Sequence, residues 1–147
     1  MFMGTGIIPR PTLESLRESP TEFYLTGSRR FGHARLWSSD YDFFTADTLS
    51  IRAELQLLGF SVRRAPGYEP ERRDVALVEV WTHHRDRIDV QIRKNVEEFE
   101  TVCKMIEVSG TRPPQDKLHR QQYWNTMIAA AREIRRGTEE FENAGRR

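Results

Sequence analysis

Three aspartates, Asp40, Asp42 and Asp89, are the residues of this 147-residue chain best suited to do chemistry. Asp40 and Asp42 stand two apart in Ser39-Asp40-Tyr41-Asp42-Phe43, at the start of an aromatic and β-branched run. Residues two apart on a strand share a face, so both carboxylates point the same way. Like charges that close repel, and this costs stability unless a cation sits between them. Asp89 lies in Arg87–Arg93 (RIDVQIR), where Ile88, Val90 and Ile92 alternate with polar residues. The three aliphatics claim the core, which turns Asp89 and Gln91 to the other face. If the two strands are neighbours, Asp89 joins the pair. Three carboxylates on the order of 4–6 Å apart suit a hard divalent cation, Mg²⁺ or Mn²⁺. The competing reading is that aspartates flanking strands are solvated edge residues.

Gly27-Ser28 follows a short β-rich run, Glu22–Thr26 (EFYLT), thirteen positions ahead of Asp40. Glycine lets backbone approach a ligand closely. A serine hydroxyl and adjacent backbone N–H groups can hold a phosphate. Gly-Ser alone is a turn; ahead of the acids it reads as a phosphate hold beside a metal site. Arg29, directly after Ser28, is better placed for a phosphate than Arg30 or Arg35, against a solvated loop charge as the alternative. Phe31 or Trp37 could stack on a base or pack as a lid on the core. His83-His84 has too few partners for a zinc pair. Arg93-Lys94 reads as solvated surface. Cys103 falls on the apolar face of its helix as a buried residue.

The run Gly27-Ser28-Arg29-Arg30-Phe31-Gly32, then Ser39-Asp40-Tyr41-Asp42-Phe43, then Ile88-Asp89-Val90, resembles the signature of the DNA-polymerase-beta-like nucleotidyltransferase superfamily. Within it, the minimal nucleotidyltransferases look most similar. The resemblance spans residues 22–93. It implies that Gly27 and Ser28, with Arg29, hold a nucleoside triphosphate. It implies that Asp40 and Asp42 bind metals bridging the phosphates. It gives Asp89 the second metal and the acceptor hydroxyl, whose proton it accepts or whose pKa it helps to lower. In-line attack on the α-phosphorus would then release pyrophosphate, with ATP the donor by family habit. The insert His33–Trp37 and the C-terminal helices match no substrate domain. Loops 29–39 and 65–73 with those helices are expected to bind a protein or RNA acceptor. Two alternatives are an antitoxin-like nucleotidyltransferase that modifies a partner protein bound through the C-terminal helices, and a non-catalytic nucleotide-binding module.

The elements that must position these residues follow from periodicity and punctuation. Thr12–Ser19 reads as a helix ended by Pro20. Strands are expected over Glu22–Thr26, Tyr41–Thr45, Phe60–Arg64, Asp74–Thr82 and Arg87–Arg93, the last two as a hairpin. Thr45 or Asp47 is expected to cap a helix to Leu58, with Gly59 at its C-terminus. Helices near Asn95–Val108 and Asp116–Arg136 follow; the second lines up Trp124, Met127, Ile128, Ala131 and Ile134. The tail from Gly137 reads as frayed. The result is an α+β fold: a small mixed β-sheet of the polymerase-beta-like type, helices on one side, and two C-terminal helices. It forms one domain, with a motif core at 22–93, a helical part at 94–136 and a tail at 137–147.

Composition agrees with an ordinary globular protein: 37% hydrophobic and 31% charged residues. Twenty-three Lys+Arg against 22 Asp+Glu leave a net charge of +1, so no global field favours coating nucleic acid. One cysteine excludes a disulfide framework and a CxxC zinc site. It fits a reducing cytoplasm. No apolar run has the length of a membrane span and no signal peptide is legible, so the expectation is cytoplasmic, with no membrane partner.

Overall fold

The computed structural model describes residues 10–32, 39–63 and 76–145. The fold is α+β. In chain order the elements are α1 (Pro11–Glu18), β1 (Tyr24–Thr26), α2 (Ser28–Phe31), β2 (Tyr41–Ala46), α3 (Ile51–Leu57), β3 (Ser61–Arg63), β4 (Leu77–His83), β5 (Ile88–Arg93), α4 (Val96–Ser109) and α5 (Lys117–Gly145). The strands form one mixed sheet in the order β1-β2-β5-β4-β3. β2 and β5 run parallel, and the other neighbours are antiparallel. Over the described residues the chain divides into two compact units. One runs to Val96 and holds the sheet with α1–α3; the other begins at Glu97 and holds the rest of α4 and α5.

The alternation of β5 decides which face of the sheet is core. Ile88, Val90 and Ile92 are fully buried and cluster with Ile51 and Leu55 of α3, Leu16 of α1, and Phe60. Each such side chain contributes about 1.5–3 kcal/mol by leaving water. Tyr41, Phe43 and Trp81 complete that face. Arg52 ties α3 to Glu79 on β4 and to Asp47, and these two bonds raise its pKa. Glu54 accepts the hydroxyls of Ser19 and Thr21, fixing α3 to the chain after α1.

The first turn of α1 is capped from a distance. Arg10 stands at the cap position without a side-chain cap bond. Asp86, from the turn between β4 and β5, instead accepts the Thr12 amide at 3.0 Å. His83 Nδ1 accepts the Asp86 amide at 3.1 Å, and its Nε2 lies 3.3 Å from the Thr12 hydroxyl. His83 thus spends both ring nitrogens on structure, which accounts for the His-His pair. Burial pushes the Asp86 carboxyl up, but the Thr12 hydroxyl and amide and then Arg85 outweigh it, holding the pKa below the usual carboxylate value.

Several elements differ from their sequence expectation. A single turn of helix, α2, follows Gly27 directly. α3 starts at Ile51, not at Thr45 or Asp47, because Thr45 and Ala46 pair with Ile92 and Arg93 of β5 and prolong β2. Arg93 is 2% exposed and donates to Gln91 at 2.9 Å, so it is not solvated surface. α5 continues nine residues past Arg136, through the expected tail, on a sequence of strong helix formers. In the helical unit α4 buries Phe99, Val102, Cys103 and Ile106, and Phe99 stacks on Trp124 of α5. The apolar stripe of α5 is buried at Ile128 and Ala131, whereas Ile134 is exposed. Segments 33–38 and most of 65–73, expected to meet the acceptor, lie outside the described residues, as do Arg35 and Trp37.

Candidate functional site

Register sets one row of side chains across the face opposite the core. Thr26, Asp42, Asp89, Thr82 and Ser61 are lateral neighbours on β1, β2, β5, β4 and β3. The parallel pairing of β2 with β5 sets Asp42 directly beside Asp89. Their backbones are one strand apart, about 4.8 Å. Strand alternation therefore brings these two acids to one face, away from Ile88, Val90 and Ile92.

Each acid takes a different partner. The Asp42 carboxylate lies against Gly27, on the β1 side. Gly27 has φ 72° and ψ −160°, backbone essentially reserved for glycine. A Cβ there would lie 3.0 Å from Asp42 Cβ and Cγ and would overlap Oδ2. Asp89 accepts the Thr82 hydroxyl at 2.6 Å on β4 and meets Arg63 of β3 at 3.5 Å. Asp40 stands one residue before β2 and pairs with Arg87 at 2.9 Å. The three carboxylates are thus drawn to three neighbours. Among the described residues no three acids, histidines or cysteines come close enough to hold a metal ion.

The entrance to β2 is clamped. Arg10 and Arg29 both donate to the Ser39 carbonyl, at 3.1 and 2.8 Å. Both guanidinium groups sit over the Tyr41 ring, at 4.9 and 4.1 Å. Burial, and then the charge of Arg29, lower the Arg10 pKa. Arg29, expected to touch phosphate, is thereby engaged with the segment that leads into the acids. Arg30 donates to the Leu25 carbonyl at 2.9 Å. Ser28 opens α2: its carbonyl accepts the Gly32 amide, while the Gly27 carbonyl accepts those of Arg30 and Phe31. Gly27, Ser28 and Asp42 accordingly form one contiguous patch.

Thr82, Arg63, Arg87 and Arg10 are site neighbours that sequence reasoning passed over. Thr82 was within reach: a hairpin that closes on His83 and Ile88 sets Thr82 opposite Asp89 on the same face. Arg87 required the parallel register of β2 with β5, which no local pattern encodes. Arg87 also holds φ 56°, and its carbonyl accepts the Tyr41 amide at 3.0 Å, extending that parallel ladder to the Asp40 pair.

The geometry offers two neighbouring hard-oxygen carboxylates, a hydroxyl on one of them, and a glycine turn touching the other. Asp42 and Asp89 suit a divalent cation by donor type; Asp40 could join only by leaving Arg87. No protein-family model, curated protein or solved structure matches this chain. No helix among the described residues is long and apolar enough to cross a membrane.

Proposed function

We propose that the chain is a metal-dependent nucleotidyltransferase that moves a nucleoside monophosphate, AMP by default, from an NTP to a hydroxyl of a protein or RNA. The observation that carries this is the contact of Gly27 with the Asp42 carboxylate, with Asp89 next to Asp42 on the adjacent strand. A phosphate-holding turn and an acidic pair are useful to each other only when they touch. In this reading Gly27 and Ser28 seat the triphosphate, and Asp42 and Asp89 hold Mg²⁺ or Mn²⁺. The cation supplies charge neutralisation on phosphate oxygens. The acceptor hydroxyl oxygen forms a bond to the α-phosphorus, the α–β anhydride bond breaks, and pyrophosphate leaves. Asp89 takes the hydroxyl proton. Thr82, hydrogen-bonded to Asp89, orients that carboxylate. The work is positioning and electrostatics, so few other reactive groups are needed.

The ion pair of Asp40 with Arg87 favours a second reading, a nucleotide-binding module that does not catalyse transfer, since it withholds one of the three acids. Incubation with labelled NTPs, Mg²⁺ or Mn²⁺ and cell lysate separates the two. Label in a protein or RNA band, with pyrophosphate release, is expected, and both vanish in Asp89→Asn. Saturable nucleotide binding without transfer selects the binding module. Neither binding nor transfer refutes both.

A further inference from the structure

We infer that the C-terminal half of α5 pairs antiparallel with the same segment of a second copy of this chain. The fourteen residues from Arg132 to Gly145 are helical and all exposed. They extend about 21 Å. A helical stretch of that length is marginal in water without something packed on one face. One face here is apolar or small: Ile134, Gly137, Thr138 and Phe141 follow helical spacing, with Ile134 59% and Phe141 81% exposed. This stripe continues the one that is buried at Ile128 and Ala131.

Charge chooses the occupant and its direction. Basic residues cluster before the midpoint, at Arg135 and Arg136, and acidic ones after it, at Glu139, Glu140 and Glu142. A parallel second copy sets like charge against like. An antiparallel copy, related by a two-fold axis near Gly137 and Thr138, sets each basic turn against the other's acidic turn and Ile134 near the second copy's Phe141. The segment is thus complementary to itself, as a two-fold interface requires. Gly137 fits this axis. A glycine inside a helix costs about 1 kcal/mol relative to alanine. No atom lies within 4 Å of where its Cβ would stand, so it leaves the face open to a close approach. Arg135 pairs with Glu139 within the helix, and Arg136 with Glu133. Exposed pairs of this kind are weak enough to exchange for partners across an interface. Two turns on each side make a small interface, so the dimer is weak and concentration-dependent.

Sedimentation velocity of the full chain from about 5 to about 500 μM tests this, a range that brackets weak association. The wild-type mass is expected to rise from one chain toward two, and less so at high salt. Phe141→Ser should weaken association at least tenfold with unchanged helical circular dichroism. Arg135→Glu/Arg136→Glu and Glu139→Arg/Glu140→Arg should each be monomeric alone, while their equimolar mixture dimerises again. That recovery cannot arise from a variant that has merely lost its helix. A wild-type chain monomeric throughout, a Phe141→Ser chain that associates like the wild type, or a mixture that stays monomeric overturns the inference. So does a protein of different sequence seated on this segment. None of these outcomes bears on nucleotide transfer.

Discussion

Gly27→Ala is the substitution whose cost the structure specifies most directly. Two terms add. The backbone at φ 72° and ψ −160° is nearly closed to residues with a Cβ. Holding one there costs about 1–3 kcal/mol. The new Cβ would also lie 3.0 Å from Asp42 Cβ and Cγ and overlap Oδ2, so strand β2 or the carboxylate must shift. Overpacking of that kind costs roughly 1–3 kcal/mol more. The expected loss is therefore about 2–6 kcal/mol, read as a lower urea midpoint at unchanged slope. Gly110 supplies the control. It too has positive φ, 73°, but nothing lies within 4 Å of its Cβ position. Gly110→Ala should cost only the backbone part, about 1–2 kcal/mol. A double-mutant cycle with Asp42→Ala isolates the steric part: removing the carboxylate should return about 1 kcal/mol or more of the Gly27→Ala loss. Strict additivity of the two substitutions, or equal losses for Gly27→Ala and Gly110→Ala, would show that the turn does not press on Asp42. The phosphate-hold reading would then lose its footing.

Three further outcomes are expected. Asp42→Asn should abolish metal-dependent pyrophosphate release and leave melting unchanged or higher. The repulsion it removes, across one strand spacing, amounts to about 1–3 kcal/mol at most; wild-type turnover would overturn the metal-site reading. Asp86→Ala should cost about 1–3 kcal/mol in urea titrations, since it leaves the buried Thr12 amide without its acceptor. Because the folded carboxyl is depressed, its stabilisation is fully present above the unfolded value, about 3.9, and fades as pH falls through the folded pKa. The variant should therefore show a flatter loss of stability below about pH 4 than wild type. Arg87→Gly should relieve the φ 56° backbone and free Asp40. Tighter Mn²⁺ binding by calorimetry at little cost in stability is expected, and unchanged affinity would place Asp40 outside the site.

What the sequence made legible was periodic or punctuated. The alternation in RIDVQIR set the buried face of β5 and turned Asp89 away from it, as found. Gly59, with φ 95°, closes α3 as a helix-terminal glycine does. What stayed illegible was non-local. Thr45 looked like a helix cap because nothing local reveals that β5 pairs alongside it. Arg10 looked like part of a loose arm, yet it is buried by contacts to Ser39 and Tyr41 that are distant in sequence. Asp86 looked like a turn residue and caps a helix that ends sixty-eight residues earlier. In each case the local signal was real, and a long-range partner used it for something else.

The two readings of the acids now separate residue by residue. A solvated edge aspartate should sit outside the ladder or on an outer strand, half exposed, with a surface arginine for company. Asp40 meets that description: it precedes β2 and its side chain is 47% exposed beside Arg87. Asp89 does not. It lies on the middle strand of five, its side chain is 15% exposed, and its partner is the Thr82 hydroxyl. Asp42, beside it, faces a glycine that admits no side chain. Two carboxylates one strand apart on a largely buried stretch of sheet oppose folding, and a neutral pair there would not. Keeping both charges has a rationale only if something positive is bound between them, which places the test of function on Asp42 and Asp89 rather than on all three acids alike.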